Sequence, residues 1–204
     1  RRRIFLGENK DTKFYKAIDS FTCPYGLSNT RQYQMTPYFF DFTSGFIDKT
    51  YTDVYGSQLI ESEHTFVHAG GPIIVPSLNY INYLGYGFHN NHDLCIKDRG
   101  KPDSLRRDFV EGIEKNEFLI ELPKGKYNIL IISGDELEDS ITNMDLPKTG
   151  AFYEGKLNTA GTYQYKIIPF MHEEDSIFRI GLSTIKGYKW KLNAILLNKE
   201  YAIL

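Results

Sequence analysis

Aromatic and amide side chains are concentrated in residues 76–106, a stretch with little strand or helix pattern. Flat aromatic rings cover the apolar C–H faces of a sugar ring, and amide groups hydrogen-bond to its hydroxyls. The stretch offers both kinds of group within a glycine-containing loop, and long ordered loops often carry function. The candidate ligand-binding residues are Tyr80, Tyr83, Tyr86, Asn90 and Asn91.

Packing is the alternative role for these rings, because tyrosine is of intermediate burial and often lies in a core or at its rim. Tyr86 lies between Gly85 and Gly87, which predicts a ring that no bulky neighbour shields. Trp190 is the only tryptophan, and it shares a strand face with Leu192 in an apolar stretch. We therefore predict that Trp190 belongs to the core.

Motifs for transition metals and for catalysis are incomplete. Residues 89–93 (HNNHD) supply two imidazoles and a carboxylate, whereas a structural zinc site needs four ligands. His64 and His68 lack the glutamate of a His-Glu-x-x-His motif, since Thr65 follows His64. The sequence has no Gly-x-Ser-x-Gly element and no glycine-rich phosphate loop. These absences predict no catalytic residue in this chain.

Short strand patterns separated by turn residues occupy most of the chain. They fall at residues 38–42, 57–60, 65–67, 73–75, 107–111, 117–122, 127–133, 163–168, 177–182 and 190–197. Such a series predicts an all-β fold, an antiparallel β-sandwich. We assign it to residues 37–204 and regard residues 1–36 as an irregular, polar lead-in or linker segment.

Two local features refine this assignment. Residues 123–126 (PKGK) have turn chemistry, which predicts a hairpin that joins the strands on either side. Residues 135–144 are the best helical candidate, although the segment is short.

The composition excludes two classes of partner. The 204 residues carry a formal net charge of −2, whereas nucleic-acid binding depends on clustered Lys and Arg. No apolar run approaches the ~18 residues that cross a bilayer, so no membrane partner is predicted either. Cys23 and Cys95 are the only cysteines; they could form one disulfide or remain two free thiols.

Five short motifs, in order along the chain, resemble the N-terminal β-sandwich domain of many bacterial rhamnogalacturonan acetylesterases. That domain belongs to the galactose-binding-like, malectin-like group of carbohydrate-binding modules. The resemblance covers residues 38–197. Its motifs are FDFTSG at 40–45, GYGF at 85–88, RDFV at 107–110, LPKGKY at 122–127 and SGD at 133–135.

The resemblance implies a galactose-binding-like jelly roll without esterase activity of its own. In those esterases a hydrolase domain follows and opens with a Gly-Asp-Ser nucleophile, whereas Glu136 stands in that position of the comparable tripeptide here. Modules of this group often hold a structural calcium ion in a loop. The calcium candidates are Asp41, Asp48 and Asp53, with the acidic residues of 135–139 as further candidates and a solvated acidic loop as the alternative.

The first functional hypothesis is therefore a non-catalytic carbohydrate-binding module of a larger secreted polysaccharide-degrading protein. Its ligand would be a plant cell-wall polysaccharide of the pectin type, and its partner a neighbouring catalytic domain. One alternative is a catalytic fragment of a polysaccharide lyase or esterase. The other is a purely structural β-sandwich spacer, since a fold alone does not determine function. Polysaccharide binding, glycan turnover, or neither would distinguish the three.

Overall fold

The computed structural model describes residues 38–42, 73–74, 79–80, 82, 85–102 and 106–200. Among these residues the only helix is the short 3-10 turn Pro147–Thr149, and no helix is long and apolar enough to cross a membrane. The strands are β1 (Tyr38–Asp41), β2 (Ile73–Ile74), β3 (Tyr86–Phe88), β4 (Cys95–Asp98), β5 (Asp108–Gly112), β6 (Asn116–Leu122), β7 (Gly125–Asp135), β8 (Asn143–Leu146), β9 (Ala151–Tyr153), β10 (Thr162–His172), β11 (Ser176–Ser183), β12 (Trp190–Leu192) and β13 (Ala194–Glu200).

The strands form three sheets. The first has the order β10-β7-β13-β1-β2, the second β3-β6-β11-β8-β9, and the third β12-β5-β4. All pairs are antiparallel except β1 with β2. The predicted all-β sandwich is confirmed. The predicted segment 1–36 and the strands predicted at 57–60 and 65–67 lie outside the described residues.

Strand β7 is buried on both of its faces. Ile129 and Ile131 belong to the core between the first and second sheets, whereas Leu130 and Ile132 point to the opposite face, and none of the four is exposed. A strand covered on both sides needs a continuous apolar run instead of an alternating one. This explains the unbroken apolar sequence ILII at 129–132.

An aromatic cluster fills the core between the two larger sheets. Phe118 is central, with ring centroids 5.0 Å from Phe42, 5.1 Å from Phe88 and 5.3 Å from Phe40. All three are edge-on pairs, a geometry that aromatic rings prefer. Trp190 is fully buried and stacks on Phe88 at 6.5 Å, so its predicted core position is confirmed.

The chain changes sheets at Asn193, so the single strand predicted at 190–197 is divided. Residues before it pair with β5 in the third sheet, and residues after it pair with β7 in the first. The Asn193 side chain stabilises the chain at this change of sheet, because its Nδ2 donates to the carbonyls of Arg106 and Asp108, both at 3.0 Å.

The hairpin predicted at 123–126 is wrong. Strand β6 pairs with β3 and β11, and β7 pairs with β10 and β13. Since both edges of each strand are already occupied, the connection crosses from the second sheet to the first. The Tyr127 hydroxyl donates to the carbonyl of Pro123 at 2.8 Å, and Lys124 N–H donates to the Asp175 carboxylate at 2.6 Å.

Tyr127→Phe should lower the free energy of unfolding by about 1 kcal/mol, because it removes one hydrogen bond and keeps the buried ring. The loss would be measured by urea denaturation. Tyr153→Phe is the matched control, since no hydrogen bond of its hydroxyl is found among the described residues. Equal losses in the two variants would contradict a stabilising role for the Tyr127–Pro123 bond.

Two other local predictions also fail. Residues 135–144 contain no helix, because the Asp135 carboxylate accepts the N–H of Leu137 at 3.0 Å and so competes with helical bonding. The stretch 76–106, interpreted as one long loop, contains strands β3 and β4. Cys95 lies on β4 as an exposed free thiol, and Cys23 lies outside the described residues.

Candidate functional site

Several connections meet at one end of the sandwich, which we call the loop end. Strand β6 begins at Asn116, opposite Leu182 near the end of β11. Strand β5 ends at Gly112, opposite Trp190 at the start of β12. The segments gathered there are 89–94, 113–115, 136–142 and 184–189.

Hydrogen bonds tie these segments to one another. The Asn116 side chain donates to the carbonyl of Asn90 at 2.7 Å, and Ile141 N–H donates to the carbonyl of Lys189 at 3.2 Å. The loop end is therefore braced by contacts between loops as well as by the strands. Exposed apolar side chains stand at its tips: Ile113, Leu137 and Ile185.

A group of six charged side chains lies beside and beneath these loops, and we call it the ionic network. Its cations are Arg99, Lys189 and Lys191, and its carboxylates are Glu111, Asp135 and Glu138.

Lys191 is the centre of the ionic network. Its fully buried ammonium group contacts Asp135, Glu138 at 3.0 Å and Glu111 at 3.5 Å. It also lies 4.8 Å from the centroid of the Phe109 ring. A buried ammonium group is costly unless it is paired, and here three carboxylates surround it.

Arg99 binds Asp135 through two hydrogen bonds of 2.9 and 2.8 Å. This bidentate arrangement is the strongest geometry available to an arginine–carboxylate pair. Arg99 also reaches Glu138 at 3.2 Å. Asp135, fully buried at the end of β7, is thus held by two cations from different strands and loops.

The pKa values follow from these contacts. Burial alone would raise the pKa of Asp135, but hydrogen bonds from Arg99 and Lys191 outweigh it and hold the pKa below its ordinary 3.8. The hydrogen bond from Lys191 likewise lowers the pKa of Glu138 below 4.5. The hydrogen bond to Glu111 raises the pKa of Lys189 above 10.5. Asp135, Glu138 and Lys189 are therefore charged near neutral pH.

The network presents only part of its charge to solvent. The side chains of Glu138 and Lys189 are 48% and 42% exposed, whereas Glu111, Asp135 and Lys191 are buried. Lys191 fixes the Glu138 side chain and Glu111 fixes that of Lys189. Either exposed group could therefore bind a polar ligand with little loss of side-chain entropy.

One serine lies near a histidine ring, Ser176 Oγ being 3.4 Å from His172 Nε2. The same nitrogen lies 3.2 Å from the carbonyl of Ser176, which can only accept a hydrogen bond, so Nε2 carries the hydrogen when that bond forms. His172 Nδ1 has no carboxylate partner among the described residues. The pair therefore lacks the base and the orienting acid of a catalytic triad.

The structure separates the predicted ligand-binding residues. Tyr86 is half-buried at the core margin, with its ring 5.3 Å from that of Phe40, so the ring is not left open as its flanking glycines suggested. Tyr80 is half-buried beside β3, where its N–H donates to the carbonyl of Phe88 at 2.8 Å. Tyr83 lies outside the described residues.

Asn90 and Asn91 both lie at the loop end. The Asn90 side-chain oxygen accepts the N–H of His92 at 2.9 Å, so it shapes its own loop. Asn91 is half-buried, and its carbonyl accepts the N–H of Leu94 at 3.4 Å. The two amides are therefore brought together there, apart from Tyr86.

Most of the calcium candidates lie outside the residues that the structure describes. Asp41 lies in β1 opposite Ala194, while Asp48 and Asp53 fall outside the described residues. Within the described ranges no three potential ligands are grouped for a metal ion. In the acidic segment 135–139 the protein's own cations pair with Asp135 and Glu138, and Lys101 pairs with Glu136 at 3.3 Å.

The cations of this site were not predicted from the sequence. The available signal was a charged residue inside an apolar strand: Lys191 stands between Trp190 and Leu192, and Glu111 follows Phe109 and Val110. Charged residues are almost never fully buried without a partner, so such positions predict partners elsewhere in the chain.

The class that these features define is an all-β sandwich with a braced loop end. No protein-family model and no curated protein sequence matches the chain. Among solved structures it is similar to the protein YXIM of Bacillus subtilis, with a TM-score of 0.56 and 20% identity over 80% of this chain. The match covers 40% of that protein, so the chain spans less than half of its length.

Two further structures are less similar. A beta-glucuronidase of Bacteroides uniformis has a TM-score of 0.47 and 16% identity, covering 63% of this chain and 16% of that enzyme. A family 35 carbohydrate binding module of Clostridium thermocellum has a TM-score of 0.37 and 13% identity, covering 57% and 94% respectively. At such identities the likenesses concern the fold alone.

Proposed function

We propose that the chain is a non-catalytic carbohydrate-binding domain that binds a pectin-type polysaccharide at the loop end. The observation that carries the proposal is the grouping there of amide, charged and apolar side chains on loops that hydrogen-bond to one another. Ligand sites combine apolar contact area with a few fixed polar groups, and the loop end offers both.

Three lysines of the loop end can pair with the carboxylates of a uronate-containing glycan, although segments 89–94, 113–115 and 136–142 also carry five carboxylates. Lys115 and Lys186 are exposed in segments 113–115 and 184–189, and no described residue pairs with either ammonium group. Lys189 adds a partly exposed cation backed by Glu111 at 2.6 Å. Uronate carboxylates would form ion pairs with these lysines, and Asn90 and Asn91 would hydrogen-bond to sugar hydroxyls.

The wider context of the proposal is a larger secreted polysaccharide-degrading protein in which a neighbouring catalytic domain acts on the bound polymer. This part depends on the resemblance to the acetylesterase domains. The same resemblance supports a structural calcium ion held by Asp41, Asp48 and Asp53.

The test is affinity electrophoresis in gels that contain polygalacturonate. The double variant Lys115→Ala/Lys186→Ala should bind about fivefold more weakly, since two exposed ion pairs contribute about 1 kcal/mol. Added salt should reduce the difference, because exposed charges are screened.

Lys124→Ala/Lys126→Ala is the matched control. It removes the same charge from two exposed lysines, one in the β6–β7 connection and one at the start of β7. Both lie one strand length, about 20 Å, from the loop end. Equal weakening by both double variants would show nonspecific charge attraction and reject the loop-end site. If the wild-type chain binds no polysaccharide, it is a structural spacer, and turnover of an acetylated or uronate-rich glycan would make it an enzyme.

A further inference from the structure

The outer face of the second sheet carries an exposed aromatic ring. Phe152 is 59% exposed on the edge strand β9. Strand register places it in one row with Asp145 on β8, Gly181 on β11 and Glu117 on β6. Three strand spacings make this row about 14 Å long. Its residues alternate with core residues such as Met144 and Leu182, so the row faces away from the core.

Two positions on this face are glycines, so no side chain projects from the sheet there. A Cβ atom on Gly181 would approach the Asp145 Cβ to 3.1 Å, so the position has little room for a side chain. Gly87 on β3 lies on the same face, but there the backbone of Asn79 and Tyr80 covers the sheet, since a Cβ atom on Gly87 would lie 2.5 Å from the Tyr80 nitrogen. The side chains of the row that a ligand could reach on this face are therefore those of Phe152, Asp145 and Glu117.

The charge on this face is acidic. Arg179 is its one cation among the described residues, and it is already bound to Glu117 at 2.8 Å. Glu121 and Asp145 add carboxylates for which no cationic partner is found in the described ranges. A uronate chain would be repelled here, whereas carboxylates accept strong hydrogen bonds from neutral hydroxyl groups.

We propose that the outer face of the second sheet is a second binding surface, for a neutral polysaccharide. The Phe152 ring covers the apolar face of one sugar, and Asp145 and Glu117 accept hydrogen bonds from sugar hydroxyls along the row. The inference rests on the proposed carbohydrate-binding function and extends it to a surface whose charge is opposite to that of the lysines at the loop end. The domain would thereby hold an acidic and a neutral glycan at separate places.

The test compares Phe152→Ala with the wild-type chain in gels containing neutral galactan and in gels containing polygalacturonate. Loss of the ring should weaken galactan binding about tenfold and leave polygalacturonate binding unchanged. Ile167→Ala is the matched control, because Ile167 is a comparably exposed apolar residue on β10 of the first sheet. Melting curves of all three proteins should agree, since neither side chain is buried.

Each other outcome overturns the inference in a different way. If galactan binding persists unchanged in Phe152→Ala, the outer face is not the neutral-glycan surface, although the proposed function stands. If the wild-type chain binds neither polymer, both proposals fail. A third outcome is that the wild-type chain binds immobilised polylysine but not galactan. If Phe152→Ala then no longer binds polylysine, the face binds a basic peptide instead of a glycan.

Discussion

Asp135→Ala is expected to lower the free energy of unfolding by about 3–5 kcal/mol, the usual cost of removing one partner from a buried ion pair. Lys191 would keep Glu111 and Glu138 but lose its contact with the Asp135 carboxylate. Arg99 would lose both of its hydrogen bonds to Asp135. Urea denaturation followed by Trp190 fluorescence would measure the loss.

Glu136→Ala is the neighbouring control. Its carboxylate pairs with Lys101 near the surface, where such pairs contribute about 0–1 kcal/mol. A loss for Asp135→Ala no larger than for Glu136→Ala would show that the network does not stabilise the fold.

The same substitution should change the response to acid. Because the folded-state pKa of Asp135 lies below 3.8 and that of Glu138 below 4.5, their contribution is complete above these ordinary values. It is lost as pH falls through the lowered pKa values. The wild type should therefore lose stability below about pH 4, and Asp135→Ala should show a shallower acid limb.

Trp190→Ala is expected to lower the free energy of unfolding by about 3–5 kcal/mol, the range for truncating a buried tryptophan. The ring packs against Gly112, where a Cβ atom would lie 2.5 Å from it, and stacks on Phe88. Its Nε1–H donates to the carbonyl of Glu114 at 2.7 Å, which fastens the β5–β6 loop. Urea denaturation followed by far-UV circular dichroism would measure this loss, since the variant contains no tryptophan.

Two further variants separate packing from hydrogen bonding. Trp190→Phe keeps an aromatic ring without the N–H, so its loss should fall between those of the wild type and Trp190→Ala. Ile185→Ala removes an exposed side chain from the preceding loop and should change stability by less than about 0.5 kcal/mol. A loss below about 1.5 kcal/mol for Trp190→Ala would contradict a stabilising core position for Trp190, because truncating a packed core residue costs more than that.

The long strands were predictable because their pattern is local. The alternation at 163–168 indicated β10, and the apolar run at 127–133 indicated β7. Strands β3 and β4 were missed because glycines and polar residues interrupt their pattern. The order of strands in each sheet was not readable, since the turn at 123–126 suits a crossing between sheets as well as a hairpin.

The site was less predictable than the fold because its contacts are distant in sequence. Arg99 and Asp135 are 36 positions apart, and Lys191 lies 56 positions from Asp135. Local patterns do not encode such pairings. All three of Asn90, Asn91 and Tyr86 were selected by residue type alone, yet the two amides lie at the loop end and the Tyr86 ring packs against Phe40.

The position of β13 determines when this domain can finish folding during synthesis. It is the last described strand along the chain, yet it lies between β1 and β7 in the middle of the first sheet. Until it leaves the ribosome, β10 and β7 cannot be joined to β1 and β2, and their inward-facing apolar residues lack a partner strand. Closing contacts between such distant segments is slow, so the nascent chain would depend on protection from aggregation until residues 194–200 emerge.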